Sequence, residues 1–145
     1  MKLVNRILKA REISSLAFLV AMFLIVGAVN PTFLQVKNLF LTFNGSVVYI
    51  LLAVGIAFVI LCGEIDVSIG ATLGLSAAVS ATLLRDGSSW LAAIIAAIAV
   101  GVTIGLINGI GVTVFKVPSI IMTLGVNGVV RGSIYEYTNG KWVEN

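Results

Sequence analysis

Two carboxylates spaced i, i+2 stand between apolar runs in the segment Gly63-Glu64-Ile65-Asp66-Val67-Ser68-Ile69-Gly70. Paired acids can run general acid–base hydrolysis when positioned around a reacting group, but no second polar cluster accompanies these in the sequence, so no catalytic residue is expected. The spacing does not put both acids on one helix face, and with glycines at either end it suits an extended or turning backbone. Two readings follow. In one, the segment is an ordinary turn in which Asp66 or Ser68 caps the helix that comes next. In the other, it is a broken helix whose exposed backbone and Asp66 line a polar pathway, because irregular backbone at membrane depth must face protein or water. Asn108 and Asn127 lie in apolar surroundings and need hydrogen-bond partners there. An interhelical bond meets that need, and so does a place facing a pore. Glu64, Asp66, Ser68, Asn108 and Asn127 are therefore the candidate pathway or turn residues.

Other chemistry is excluded by residue type. Histidine is absent and Cys62 is the single cysteine. A His-based triad, a His-ligated metal, an intramolecular disulfide and a Cys/His zinc cluster are all ruled out, and no metal site is expected. Cys62 reads as a small apolar packing residue.

The elements that must position these residues are set by composition. Of 145 residues, 59% are hydrophobic and 10% charged, against roughly 45–50% and 25% in an average soluble domain. The mean hydropathy is +1.14. A chain this short has too little interior for that much apolar surface, so its solvent is lipid. The net charge of +3 comes mostly from Lys2, Arg6, Lys9 and Arg11. It speaks to orientation, not to nucleic acid, and it places the N-terminus in the cytoplasm.

Spans are expected where apolar runs approach about 20 residues. Ile13 to Val29 is the first. A cleavable signal peptide has a similar outline, but its apolar region is shorter and ends in small residues. Residues 31–46 mix polar and apolar character and read as an interfacial or partly re-entrant stretch. Val47 to Cys62 is the second span, with a start as early as Leu39 allowed. Ala71 to Leu84, extended back to Val67, is the third. Arg85–Ser89 is a polar turn, followed by Trp90 as an interfacial anchor. Trp90 to Phe115 is the fourth, long enough that it must tilt or end near Asn108-Gly109. Ser119 to Val130, or on to Tyr137, is the fifth. Arg131 reads as an interfacial residue with Glu136 within pairing reach. The alternation puts the Arg85–Ser89 turn outside, Lys116 inside and the tail outside.

Small residues recur at i, i+4, i+8. Gly101, Gly105 and Gly109 share one helix face, and so do Gly70, Gly74 and Ala78. Such faces let helix backbones approach in lipid and are expected to pack against neighbouring helices.

The octet Gly63–Gly70 resembles the G-G-I-D-L-S-V-G signature of bacterial ATP-binding-cassette (ABC) importer permeases for monosaccharides and autoinducer-2. Asn108-Gly109, then Val117-Pro118-Ser119-Ile120-Ile121-Met122-Thr123-Leu124-Gly125, then Arg131-Gly132 and Tyr137-Thr138-Asn139-Gly140 are similar to further family motifs, in order. Gly140–Glu144 looks most like the autoinducer-2 and rhamnose branch. Glu64 stands where the family commonly has a second glycine. The similarity runs over residues 13–145.

The resemblance implies an all-α membrane protein of about five transmembrane helices, half of a ten-helix permease. Residues 1–145 would then be a single transmembrane region, the N-terminal half of the family's domain, in the bacterial inner membrane. It implies a second permease subunit, cytoplasmic ATPase subunits and a periplasmic solute-binding protein as partners. In this family the helix that docks onto the ATPase lies beyond residue 145. No cofactor is expected in this chain, since it lacks a G-x-x-x-x-G-K-[ST] phosphate loop and ATP would be bound by a partner. The rival classes are a secondary transporter or channel, which usually carries ionisable residues within its spans, and a small structural membrane subunit.

Overall fold

The computed structural model describes residues 11–141, which form five α-helices and one 3₁₀ turn, with no strand among the described residues. The helices are α1 (Arg11–Val29), α2 (Val36–Leu61), α3 (Ile69–Arg85), α4 (Trp90–Thr113) and α5 (Ser119–Thr138), and the 3₁₀ turn covers Pro31–Leu34. Lys2, Arg6 and Lys9, which carry the orientation expectation, lie outside the described residues, as do Trp142, Val143 and Glu144. At about 1.5 Å per residue, α2 and α4 are roughly 39 and 36 Å long, enough for a hydrocarbon core of about 30 Å. Among the described residues they are the two helices long and apolar enough to cross a membrane.

The chain divides into two compact units, Met1–Ile50 and Leu51–Asn145. In the first, α1 ends against the 3₁₀ turn. Gly27 is buried, and a Cβ there would fall 2.5 Å from Leu34 Cδ1, so the turn folds back only onto a residue without a side chain. Phe23 and Phe33 meet with ring centroids 5.3 Å apart. Asn30 caps the turn by accepting the Thr32 N–H at 3.2 Å, and Asn38 Nδ2 donates to the Thr32 carbonyl at 2.6 Å.

The 31–46 stretch is therefore mostly regular helix and not irregular, re-entrant backbone. After one 3₁₀ turn it is helix from Val36 onward. The reason is local. The hydroxyls of Thr42 and Ser46 donate to the carbonyls four residues back, at 2.9 and 2.8 Å, so these polar residues satisfy themselves within a helix.

In the second unit α3, α4 and α5 pack on one another around Ala71, Ile104 and Val130, flanked by Leu75, Val100, Val126 and Ile134. The α3–α4 contact is lined with small residues and tied by hydroxyls. Ser76 and Ser80 donate to the Ala97 and Ala93 carbonyls at 3.2 and 3.1 Å. Such bonds between membrane helices average about 0.6 kcal/mol each. The fourth helix does not stop at Asn108-Gly109 but continues to Thr113. The buried face of α4 includes Ala93, Ile104, Asn108 and Gly111, one residue round from the glycine row.

Of the glycines expected to pack, Gly74 makes a close approach among the described residues and the other four do not. A Cβ on Gly70, Gly101, Gly105 or Gly109 would meet nothing within 4 Å, so no close helix approach among the described residues uses them. The close approaches are at Gly111, where a Cβ would fall on the Met122 side chain, and at Gly74, 3.2 Å from Ile134 Cδ1. Arg131 does not pair with Glu136. Five residues apart, the two do not share a face, and Arg131 Nε instead donates to Asn127 Oδ1 at 3.3 Å.

Candidate functional site

The helix α2 stops because the chain turns left-handed at Gly63 (φ +80°). The Gly63 N–H donates to the Ile60 carbonyl at 2.9 Å, and the Glu64 N–H to the Val59 carbonyl at 3.2 Å. This is the two-bond ending that a glycine after the last turn allows. Residues 64–68 then run non-helically to α3, leaving backbone donors that no helix satisfies.

Two side chains of α5 take up two of them. Ser119 Oγ accepts the Ile65 N–H at 3.2 Å, and Thr123 Oγ1 accepts the Val67 N–H at 3.1 Å. Thr123 donates in turn to the Ser119 carbonyl at 2.7 Å. Asp66 Oδ1 accepts both the N–H and the O–H of Ser68, each at 2.7 Å. Ser68 is fully buried and receives Asn108 Nδ2 on its hydroxyl at 2.8 Å.

The expectation that Asp66 or Ser68 caps α3 is refined here. Ser68 occupies the cap position with helical backbone angles (φ −82°, ψ −11°), and its side chain makes no capping bond; its oxygen accepts from Asn108 Nδ2 instead. Asp66 holds the turn two residues early, the side-chain-to-backbone pattern typical of Asp and Asn in turns.

Glu64, Asp66, Ser68 and Asn108 are thus brought together, and Asn127 is not. Asn127 bonds Arg131 on its own helix. A cavity of about 260 Å³ lies beside the segment, lined by Glu64, Asp66, Asn108, Ser119 and Thr123 among others, with Gly105 and Gly109 forming part of its wall. Cys62 also lines it and is exposed, so it is not a buried packing residue. Sequence reasoning missed Ser119 and Thr123. Their signal was an i, i+4 pair of hydroxyls directly after Pro118, at the start of an apolar helix.

Chemically, the cluster is built to hold backbone. Its carboxylate and hydroxyls are spent on N–H groups and on one another. Among the described residues no group of three or more His, Cys, Asp or Glu side chains could hold a metal ion.

Residues 38–144 match the family model described as the permease component of the branched-chain amino acid transport system. The chain belongs to this permease family. Every element of the cavity falls within that match. The permease chain is also 39% identical over 138 residues to the autoinducer 2 import system permease protein LsrC of Enterobacter sp. (strain 638), covering 95% of this chain and 40% of that protein. It is 37% identical over 134 residues to the proteins of the same name in Salmonella typhi and in Escherichia coli (strain K12 / DH10B), covering 92% of this chain and 39% of each. The chain thus spans about two fifths of the length of the curated relatives it matches. No solved structure matches it.

Proposed function

We propose that this chain forms part of the membrane permease of an ABC importer that carries a sugar-like solute, of the autoinducer-2, rhamnose or ribose kind, across the bacterial inner membrane. The observation that carries the reading is the similarity over 92–95% of the chain to autoinducer 2 import permeases. The interrupted segment itself, with Glu64, Asp66 and Asn108 in the otherwise apolar lining of the cavity beside it, supports it, since shortened or interrupted helices are a pointer to a transport path.

On this reading residues 1–145 form one transmembrane region, the N-terminal part of a longer permease. A second permease subunit, cytoplasmic ATPases and a periplasmic solute-binding protein complete the machine. The chain supplies helices and no chemistry. ATP bound by the partner subunits drives two helical bundles to open alternately to either side of a polar passage. The N-terminus is cytoplasmic, as the Lys2–Arg11 charges favour.

The test is a chimera in which this chain replaces the matching segment of the Enterobacter relative. It is expressed, together with that system's ATPase and binding protein, in cells lacking their own permease. Accumulation of autoinducer-2 above that of cells without the chimera is expected. A chimera inserted at normal level that accumulates none of autoinducer-2, rhamnose or ribose overturns the reading.

A further inference from the structure

We infer that the exposed face of α5 pairs in parallel with the same face of a second copy of this chain, Arg131 of each copy meeting Glu136 of the other. This deepens the permease reading and rests on it for the membrane, which gives every copy the same sidedness and so allows a parallel pair. The charges lead to it. At about 1.5 Å per residue, Arg131 stands about 18 Å along the 20-residue α5, inside a hydrocarbon core of about 30 Å. A charge at that depth is expensive unless it is paired or faces water. Arg131 bonds the neutral Asn127 side chain at 3.3 Å, and among the described residues neither it nor Glu136 makes an ion pair. Both are exposed, and at five residues apart they do not meet on one helix.

Five is the spacing that pairs across two parallel helices. Ile121, Gly125, Gly128, Gly132 and Tyr135 follow one another at intervals of four, three, four and three, the a/d rhythm of a heptad. In that frame Arg131 holds a g position and Glu136 the e position of the next heptad, the flanking pair that forms salt bridges between helices. Every residue of the row is exposed, Ile121 by 64% and Tyr135 by 70%. The other side of α5 is the one spent on α3 and α4, through Thr123, Val126, Val130 and Ile134. A Cβ on Gly125, Gly128 or Gly132 meets nothing within 4 Å, so the row can take a second backbone at close range, the contact by which helices associate in lipid. A face with an unpaired base on one flank and an unpaired acid on the other is complementary to itself. A copy in register neutralises both charges at once. Beside Glu136 a hollow of about 610 Å³, lined by Leu75, Val129, Gly132, Ser133, Glu136 and Tyr137, is where Arg131 of the second copy arrives.

The test is disulfide trapping in bacterial membranes containing this chain with Cys62→Ser, so that each introduced cysteine is the only one. Gly128→Cys lies on the row. Ser133→Cys lies at nearly the depth of Gly132 but about 100° round the helix from it. Oxidation with copper phenanthroline is expected to trap dimers of Gly128→Cys and only the collisional background of Ser133→Cys. Arg131→Glu, added to Gly128→Cys, sets acid against acid and should lower the dimer to that background. Adding Glu136→Arg as well exchanges the two charges and should restore the dimer, which a chain that merely folds poorly does not do. No excess of Gly128→Cys dimer over Ser133→Cys dimer overturns the inference, as does a dimer that Arg131→Glu leaves intact or that the charge exchange fails to restore. Dimers of a chain whose chimera accumulates no solute overturn the transport reading alone. A chimera that accumulates solute while no dimer is trapped overturns this pairing alone and means that another part of the importer covers the face.

Discussion

The Thr123 hydroxyl accepts the Val67 N–H at 3.1 Å across 56 residues of chain. That one bond ties the start of α5 to the interrupted segment between α2 and α3. Because the same hydroxyl donates to the Ser119 carbonyl, both of its roles are filled.

Thr123→Val keeps the shape of the side chain and removes the acceptor. The Val67 N–H is then left without its partner, at an expected cost of about 1–3 kcal/mol. Thr123→Ser restores the oxygen and should recover most of that loss. Thermal unfolding in detergent, with helix content followed by circular dichroism, checks both variants.

The Asp66 turn separates charge from geometry. Asn accepts hydrogen bonds through the same oxygen and holds turns of this type, so Asp66→Asn should unfold within a few degrees of the parent. Asp66→Ala leaves the Ser68 N–H and the fully buried Ser68 hydroxyl without their acceptor, and should lose about 0.5–2 kcal/mol, as removal of a helix cap does. Equal losses in the two variants would mean that the charge, and not the hydrogen bonds, holds the segment.

Among the glycines, the structure singles out Gly111. A Cβ there falls on the Met122 side chain, whereas one on Gly105 meets nothing within 4 Å. Gly111→Val should therefore destabilise the α4–α5 contact by about 1–3 kcal/mol through overpacking, softened to the extent that the flexible Met122 yields. Gly105→Leu should leave the stability of the isolated chain unchanged. Unfolding midpoints of the two variants in one detergent give the comparison.

The proposed cytoplasmic N-terminus sets the sidedness to expect. Reporter fusions after Gly87 should report outside the cytoplasm, and fusions after Lys116 inside it. Equal or reversed signals would refute the alternation.

Much of the architecture is legible from apolar run length. Ile13–Val29 falls within α1, and the breaks at Gly63, Gly87 and Lys116 are left-handed positions in the structure. The helix over most of 31–46 was not legible, because a count of polar residues ignores where they bond. Thr42 and Ser46 return to their own helix. On α4 the glycine row and the face buried among the described residues differ, since periodicity marks a row of glycines without saying which row a neighbour meets. In the site, Glu64, Asp66, Ser68 and Asn108 stand out as polar groups in apolar surroundings. Ser119 and Thr123 do not, because what they satisfy is backbone contributed by residues 54 and 56 positions earlier. Only the fold places those donors within reach.

The account stands most directly on whether the cavity beside residues 64–68 lies on the solute's path. The deciding measurement is the initial rate of ATP-dependent autoinducer-2 uptake by the chimeric permease, its other cysteines replaced, before and after complete alkylation of Cys62 with a bulky maleimide. Uptake should fall to background in the Cys62 protein and stay unchanged in Cys62→Ser given the same treatment. Full uptake by fully alkylated Cys62 protein would contradict the account.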